Sequence, residues 1–160
     1  MQNGKTTTIV IGIGNPCRRD DGIGILVARR LKASRFESAV VLEASGEGAA
    51  LIEMWDGANK VVIIDATFSG ASPGTIRRID VQQQSIPADF IHHSSHAFGV
   101  AEAIELARVI GRLPAQCIVF GVEGLGFGAG VRLSPALDQV VDQVINAVVK
   151  ECIAVEGNLP

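Results

Sequence analysis

Gly12-Ile13-Gly14-Asn15-Pro16-Cys17-Arg18-Arg19-Asp20-Asp21-Gly22-Ile23-Gly24 is a glycine-rich turn that follows an apolar run and ends in two adjacent carboxylates. Upstream, Thr7-Thr8-Ile9-Val10-Ile11 is β-branched and reads as a buried strand, and downstream Ile23 to Leu31 carries apolar residues at helical spacing. The stretch is therefore a strand, a turn and a helix, the opening unit of an α/β fold. Such a turn can hold a pyrophosphate, because backbone N–H groups and the helix dipole meet there. Here the spacing argues against that use. The third glycine of the dinucleotide pattern is missing, Cys17 holds its place, and Asp20 and Asp21 put negative charge where phosphate would sit.

The chain has 160 residues, 48% of them hydrophobic, and a mean hydropathy of +0.33. That is enough apolar material for one domain with its own core, expected over residues 1–160 with the core at about 6–150. Net charge is −3, and the basic residues are scattered or paired (Arg18-Arg19, Arg29-Arg30, Arg77-Arg78), so no basic stripe points to nucleic acid. Cys17, Cys117 and Cys152 are odd in number and far apart, which does not suit a disulfide framework. The N-terminal apolar run is shorter than the ~20 residues of a membrane span and has no small-residue cleavage site after it. A cytoplasmic protein acting on a small molecule, a metal or a protein partner is expected, with no membrane or nucleic-acid partner.

Further along, Ala39 to Glu43 reads as a second strand, Gly48 to Trp55 as a short helix and Lys60 to Asp65 as a third strand. The continuous apolar run Val61-Val62-Ile63-Ile64 suits a central parallel strand buried on both faces, with Asp65 at its C-terminal end. Ser72-Pro73-Gly74 signals a turn, and Thr75 to Ile79 an edge strand that can run antiparallel. Residues 81–95 are polar and aperiodic, a long loop that leads to His96. Val100, Ala103, Ile104, Ala107 and Ile110 recur at helical spacing, so a helix is predicted over His96 to Ile110, ended by Gly111. Cys117 to Phe120 is another buried strand, and Gly121 to Gly130 a glycine-rich loop that is either a lid or a plain connection. A last long helix is predicted from Ser134 to Val149, with Ser134 as cap and Pro135 in its first turn, and the final ten residues are expected to fray. Strands alternating with helices imply a twisted, mostly parallel sheet covered on both faces.

In such a sheet the C-terminal ends of neighbouring strands flank one crevice, where Asp21, Asp65 and His96 can converge although distant in sequence. Two carboxylates brought together repel unless a cation or proton intervenes, and two oxygens with one imidazole suit a borderline cation with open positions. Each residue taken singly also has a plainer role open to it: Asp20 or Asp21 as a helix cap, Asp65 as a turn cap, His96 as a helix-start residue. His92 and His93 read as solvated loop histidines. Cys17 with His96 as its base is a weaker thiolate alternative, opposed by the neighbouring acids. No G-x-S-x-G elbow supports a serine hydrolase.

A set of motifs resembles the hydrogenase maturation endopeptidases, which trim the large subunit of nickel-iron hydrogenases. The set is Gly-x-Gly-Asn-x4-Asp-Asp-Gly-x-Gly at 12–24, Val-Ile-Ile-Asp-Ala at 62–66, Pro-Gly-Thr at 73–75, Ser-His-x-x-Gly at 95–99, Gly-Val-Glu at 121–123 and Leu-Ser-Pro at 133–135. They follow the family order across roughly residues 6–150. The resemblance implies a three-layer α/β/α sandwich around a five-stranded sheet, and a metal-binding and catalytic triad of Asp21, Asp65 and His96. It further implies that nickel arrives already installed in the large-subunit precursor, from which a short C-terminal extension is cut, with no organic cofactor. That accounts for the lack of a His-Glu-x-x-His motif or a full zinc site. Glu123, on the same edge, is a further candidate for touching substrate, and Cys17 departs from the family's usual side chain. A monomer is expected. The alternative on the same fold is a non-catalytic metal or nucleotide binder.

Overall fold

The structure is a computed structural model, and residues 7–90 and 98–154 are described. Five strands, β1 (Thr8–Ile13), β2 (Val40–Ala44), β3 (Lys60–Thr67), β4 (Ile76–Asp80) and β5 (Gln116–Glu123), form one sheet in the order β2-β1-β3-β5-β4. The first four in that order run parallel, and β4 pairs antiparallel with β5 at the edge. β3 is central and buried at all eight positions, as its unbroken apolar run requires. Its side chains alternate between the two faces. Val61 and Ile63 pack with α2 (Gly48–Trp55) and α3 (Val100–Ile110), and Val62 and Ile64 with α1 (Ile23–Ala33) and α5 (Val141–Ile153). Helices on both faces of one sheet make the expected three layers.

Several boundaries differ from those read in the sequence. β5, read as Cys117 to Phe120, runs from Gln116 to Glu123, so Gly121 to Glu123 belong to the strand through their pairing with β3 and β4 and not to the glycine-rich loop. β3 continues two residues past Asp65, because Thr67 still pairs with Glu123 on β5, so Asp65 lies inside the strand and does not cap a turn. α3 begins at Val100: Gly99 is extended (φ −106°, ψ −156°), and its N–H donates to the Glu102 side chain at 3.1 Å. The last predicted helix is two. A single turn, α4 (Pro135–Asp138), is closed by a tightened bond from Val140 N–H to the Leu137 carbonyl, and this re-aims the chain before α5. α5 then extends to Ile153, so residues 151–153 do not fray. Glu151 there takes a two-pronged bond from Arg78 on β4 (2.9 Å each) and lies 3.4 Å from Lys60 of β3.

Candidate active site

The opening turn is built on close approach. Gly14 has φ +143°, and a Cβ there would overlap the Asp21 carbonyl oxygen. A Cβ on Gly24 would overlap the carbonyl oxygens of Ile13 and Ile64, so the first turn of α1 rests directly on the end of β1 and on β3 next to Asp65. This contact brings Asp21 beside Asp65. Asp21 lies in a 3-10 turn (Arg19–Gly22), and its Oδ2 accepts the Asn15 N–H at 3.0 Å and lies 4.0 Å from the Arg18 guanidinium. Asn15 Oδ1 in turn accepts the Cys17 N–H at 2.9 Å. Neither aspartate caps α1, whose N-cap is Gly22.

The turn's donors are spent internally. Besides those of Asn15 and Cys17, the N–H of Arg18 goes to the Asn15 carbonyl, Arg19 to Gly130, Asp20 to Gly126 and Asp21 to Arg18. A phosphate would find no ring of free N–H groups here.

Asp65 is 6% exposed, on the face that carries α2 and α3, and pairs in register with Gly121 of β5. Its Oδ1 accepts the N–H of Ala66 at 2.9 Å. Burial first, and the charge of Asp21 second, hold its carboxyl well above the ordinary range. Such a pair favours a proton on Asp65, or a cation that relieves both costs.

His96 lies outside the described residues, as do His92 and His93. The described residues that bracket them stand on the same face as Asp65. Phe90 packs where a Cβ on Gly121 would be, and the Phe98 carbonyl accepts the first N–H of α2, that of Gly48, at 2.9 Å. Among the described residues no group of three or more His, Cys, Asp or Glu is placed to hold a metal ion. The carboxylate pair fits one half of a borderline cation's donor set.

Two buried carboxylates have roles that the sequence reading missed. Asp20, fully buried, accepts from the N–H groups of Leu125 (2.8 Å), Gly126 (3.0 Å) and Ser134 (2.6 Å) and from the Ser134 hydroxyl (2.8 Å). Burial would raise its pKa, but these donors outweigh it and hold the group below its ordinary value. Ser134 therefore occupies the N-cap position of α4 without its side chain capping the helix. Glu123 does not reach out toward a substrate. It is 1% exposed, and it accepts from Thr67 Oγ1 (2.8 Å), Ser69 Oγ (2.9 Å) and the N–H groups of Ser69 (2.7 Å) and Gly70 (3.0 Å). A signal for the first was present, since consecutive residues in a tight turn point about 120° apart and cannot both face one crevice. Nothing local in the sequence points to the donors, which lie over 100 residues away.

The glycine-rich loop after β5 is tied at both ends to the opening turn, at Gly126 through Asp20 and at Gly130 through Cys17 and Arg19. Cys17 is exposed, and no described side chain hydrogen-bonds its thiol.

Comparison with known proteins places this arrangement. A family model described as hydrogenase maturation protease matches residues 25–151, a span that begins just past the opening turn. The hydrogenase expression/formation protein HupD of Thiocapsa roseopersicina is 26% identical over 145 residues, covering 84% of this chain and 66% of that relative, so the chain spans about two thirds of its length. The hydrogenase 2 maturation protease of Escherichia coli (strain K12) is 25% identical over 144 residues, covering 88% of this chain and 87% of that one. The solved structure of the hydrogenase maturating endopeptidase HybD from E. coli matches with a TM-score of 0.73 at 22% identity over 89% of each chain, a likeness of fold.

Proposed function

Since the chain belongs to the hydrogenase maturation protease family, we propose that it is the endopeptidase that removes a C-terminal extension from the large-subunit precursor of a nickel-iron hydrogenase. Asp21, Asp65 and His96 are the residues that meet the substrate at the scissile region, with nickel arriving as part of the substrate. The observation that carries this reading is a buried Asp65 on the central strand, its carboxyl held well above the ordinary range, beside Asp21 in the turn that follows the neighbouring strand. Two close carboxylates of this kind are a poor resting arrangement and a good receptor: an incoming cation relieves their repulsion and the Asp65 proton leaves as it binds. Without a bound cation, a pair with one proton is instead the arrangement for acid–base peptide hydrolysis, in which one group accepts a proton from water and the other donates to the leaving amine.

The test is to incubate the protein with nickel-loaded and nickel-free precursor and read the size shift of the large subunit. Cleavage of the loaded form alone is expected, and Asp21→Ala and His96→Ala should each give a folded protein that leaves it uncut, with activity down at least about 100-fold. Equal cleavage of both precursors would remove nickel recognition and leave an acid–base pair. No cleavage of either would remove the assignment.

A further inference from the structure

Arg19 is held with unusual care for a surface side chain. Its backbone takes φ +49°, the left-handed region that L side chains seldom enter. Its N–H is tied to the Gly130 carbonyl at 2.8 Å. The side chain lies along a shelf of glycines: a Cβ on Gly130 would come within 3.1 Å of its Cγ, and one on Gly126 within 3.4 Å of its Cζ. Other arginines are spent on carboxylates, Arg18 on Asp21, Arg29 on Glu43 and Arg78 on Glu151 among them. Arg19 and the exposed Arg132 pair with no carboxylate among the described residues.

They lie along two adjoining hollows that share Arg19 and Val131 and together make a groove. A cavity of about 120 Å³ begins at Pro16 and Gly22, in the turn that carries Asp21, and is walled by Leu26, Val131 and Leu133. Arg19 and Val131 also line an adjoining open hollow of about 410 Å³, together with Arg132. Val131 is 79% exposed. Apolar walls with two uncommitted guanidinium groups suit a peptide segment bearing carboxylates, because the planar fork of arginine pairs such groups two-pronged. On a chain of net charge −3, the two cations also decide whether an acidic segment is drawn in or repelled.

We propose that this groove receives the substrate polypeptide beside the scissile bond, and that Arg19 and Arg132 select acidic side chains in its C-terminal extension. This rests on the endopeptidase reading above. The test compares wild type, Arg19→Gly, Arg132→Ala and the double variant on nickel-loaded precursor, at low and high salt. A second precursor carries Asn and Gln in place of the extension's Asp and Glu. Glycine accepts the left-handed backbone without strain, so Arg19→Gly should fold. The double variant is expected to raise KM about tenfold at low salt with kcat within about twofold, and the difference should shrink as salt screens it. The amide precursor should show the same rise on wild type and no further rise on the double variant. Unchanged KM in the double variant overturns the proposal, as does a tenfold penalty for the amide precursor that persists in that variant, or an extension without Asp or Glu. Anisotropy of a labelled synthetic peptide with the extension's sequence reads the same contrast without cleavage, so failure of wild type to cut would sink the function and still leave the groove tested.

Discussion

Asp20 and Asp21 are neighbours of identical chemistry with opposite environments. Asp20 accepts from four donors that hold its carboxyl below the ordinary value, while burial first and the charge of Asp21 second hold Asp65 well above it. The second effect has a definite sign in stability. With its folded pKa raised, Asp65 binds its proton more tightly in the native state, so its contribution is fully present below the unfolded value of about 3.9 and is lost as pH rises toward the folded one. Asp65→Asn should therefore be at least as stable as wild type at pH 7, and should lack the decline in stability that wild type shows above about pH 4, a slope of at most about 1.4 kcal/mol per pH unit for one proton. Urea midpoints measured from pH 4 to 8 check this. A wild-type curve that rises across that range at this residue's expense, with Asn less stable at pH 7, would contradict the raised pKa. The roles of the two aspartates were only half legible: the pair was visible, and which member faced Asp65 came from the family resemblance.

Among the elements, α1 depends most directly on missing side chains. Its first turn contacts the end of β1 and the middle of β3 through Gly24, and a methyl group there would meet two backbone carbonyls that cannot swing away. Gly24→Ala should cost about 3 kcal/mol, at the upper end of the usual penalty of overpacking, and should lower processing by moving Asp21 away from Asp65. Thermal melts and the precursor assay on the same sample check both. Strands and helices were largely legible because their apolar residues repeat with period 2, 3.6 or without a break in β3. The errors fell at ends. The predicted single helix from Ser134 is two because its first turn closes on the Leu137 carbonyl, and α5 is lengthened by the Arg78–Glu151 pair, a contact across the fold.

At the scale of the whole molecule, the crevice is assembled by carboxylates that interlock loops. Asp20, after β1, holds the loop after β5, and Glu123, at the end of β5, holds the loop after β3. Replacing Asp20 by Asn leaves at least one N–H donor facing a donor in a buried place, at an expected cost of about 2 kcal/mol. Amide hydrogen exchange at Leu125 and Gly126 should then quicken ahead of β3 and β5; uniform exchange across all of these would show that Asp20 does not anchor the loop. The sequence by itself determined the α/β class, the central buried strand and the strand–turn–helix stretch that carries Asp21, since these follow from local periodicity, glycine spacing and charge, while the antiparallel direction of the edge strand was only one of two open to it. Only the tertiary structure decided that Asp20 and Glu123 turn inward, that Asp65 sits inside its strand in the field of Asp21, and that Arg19 is laid on a glycine shelf. Hydrogen bonding and electrostatics act over a few ångströms of space, and a single sequence does not record which distant donors the fold brings within that reach.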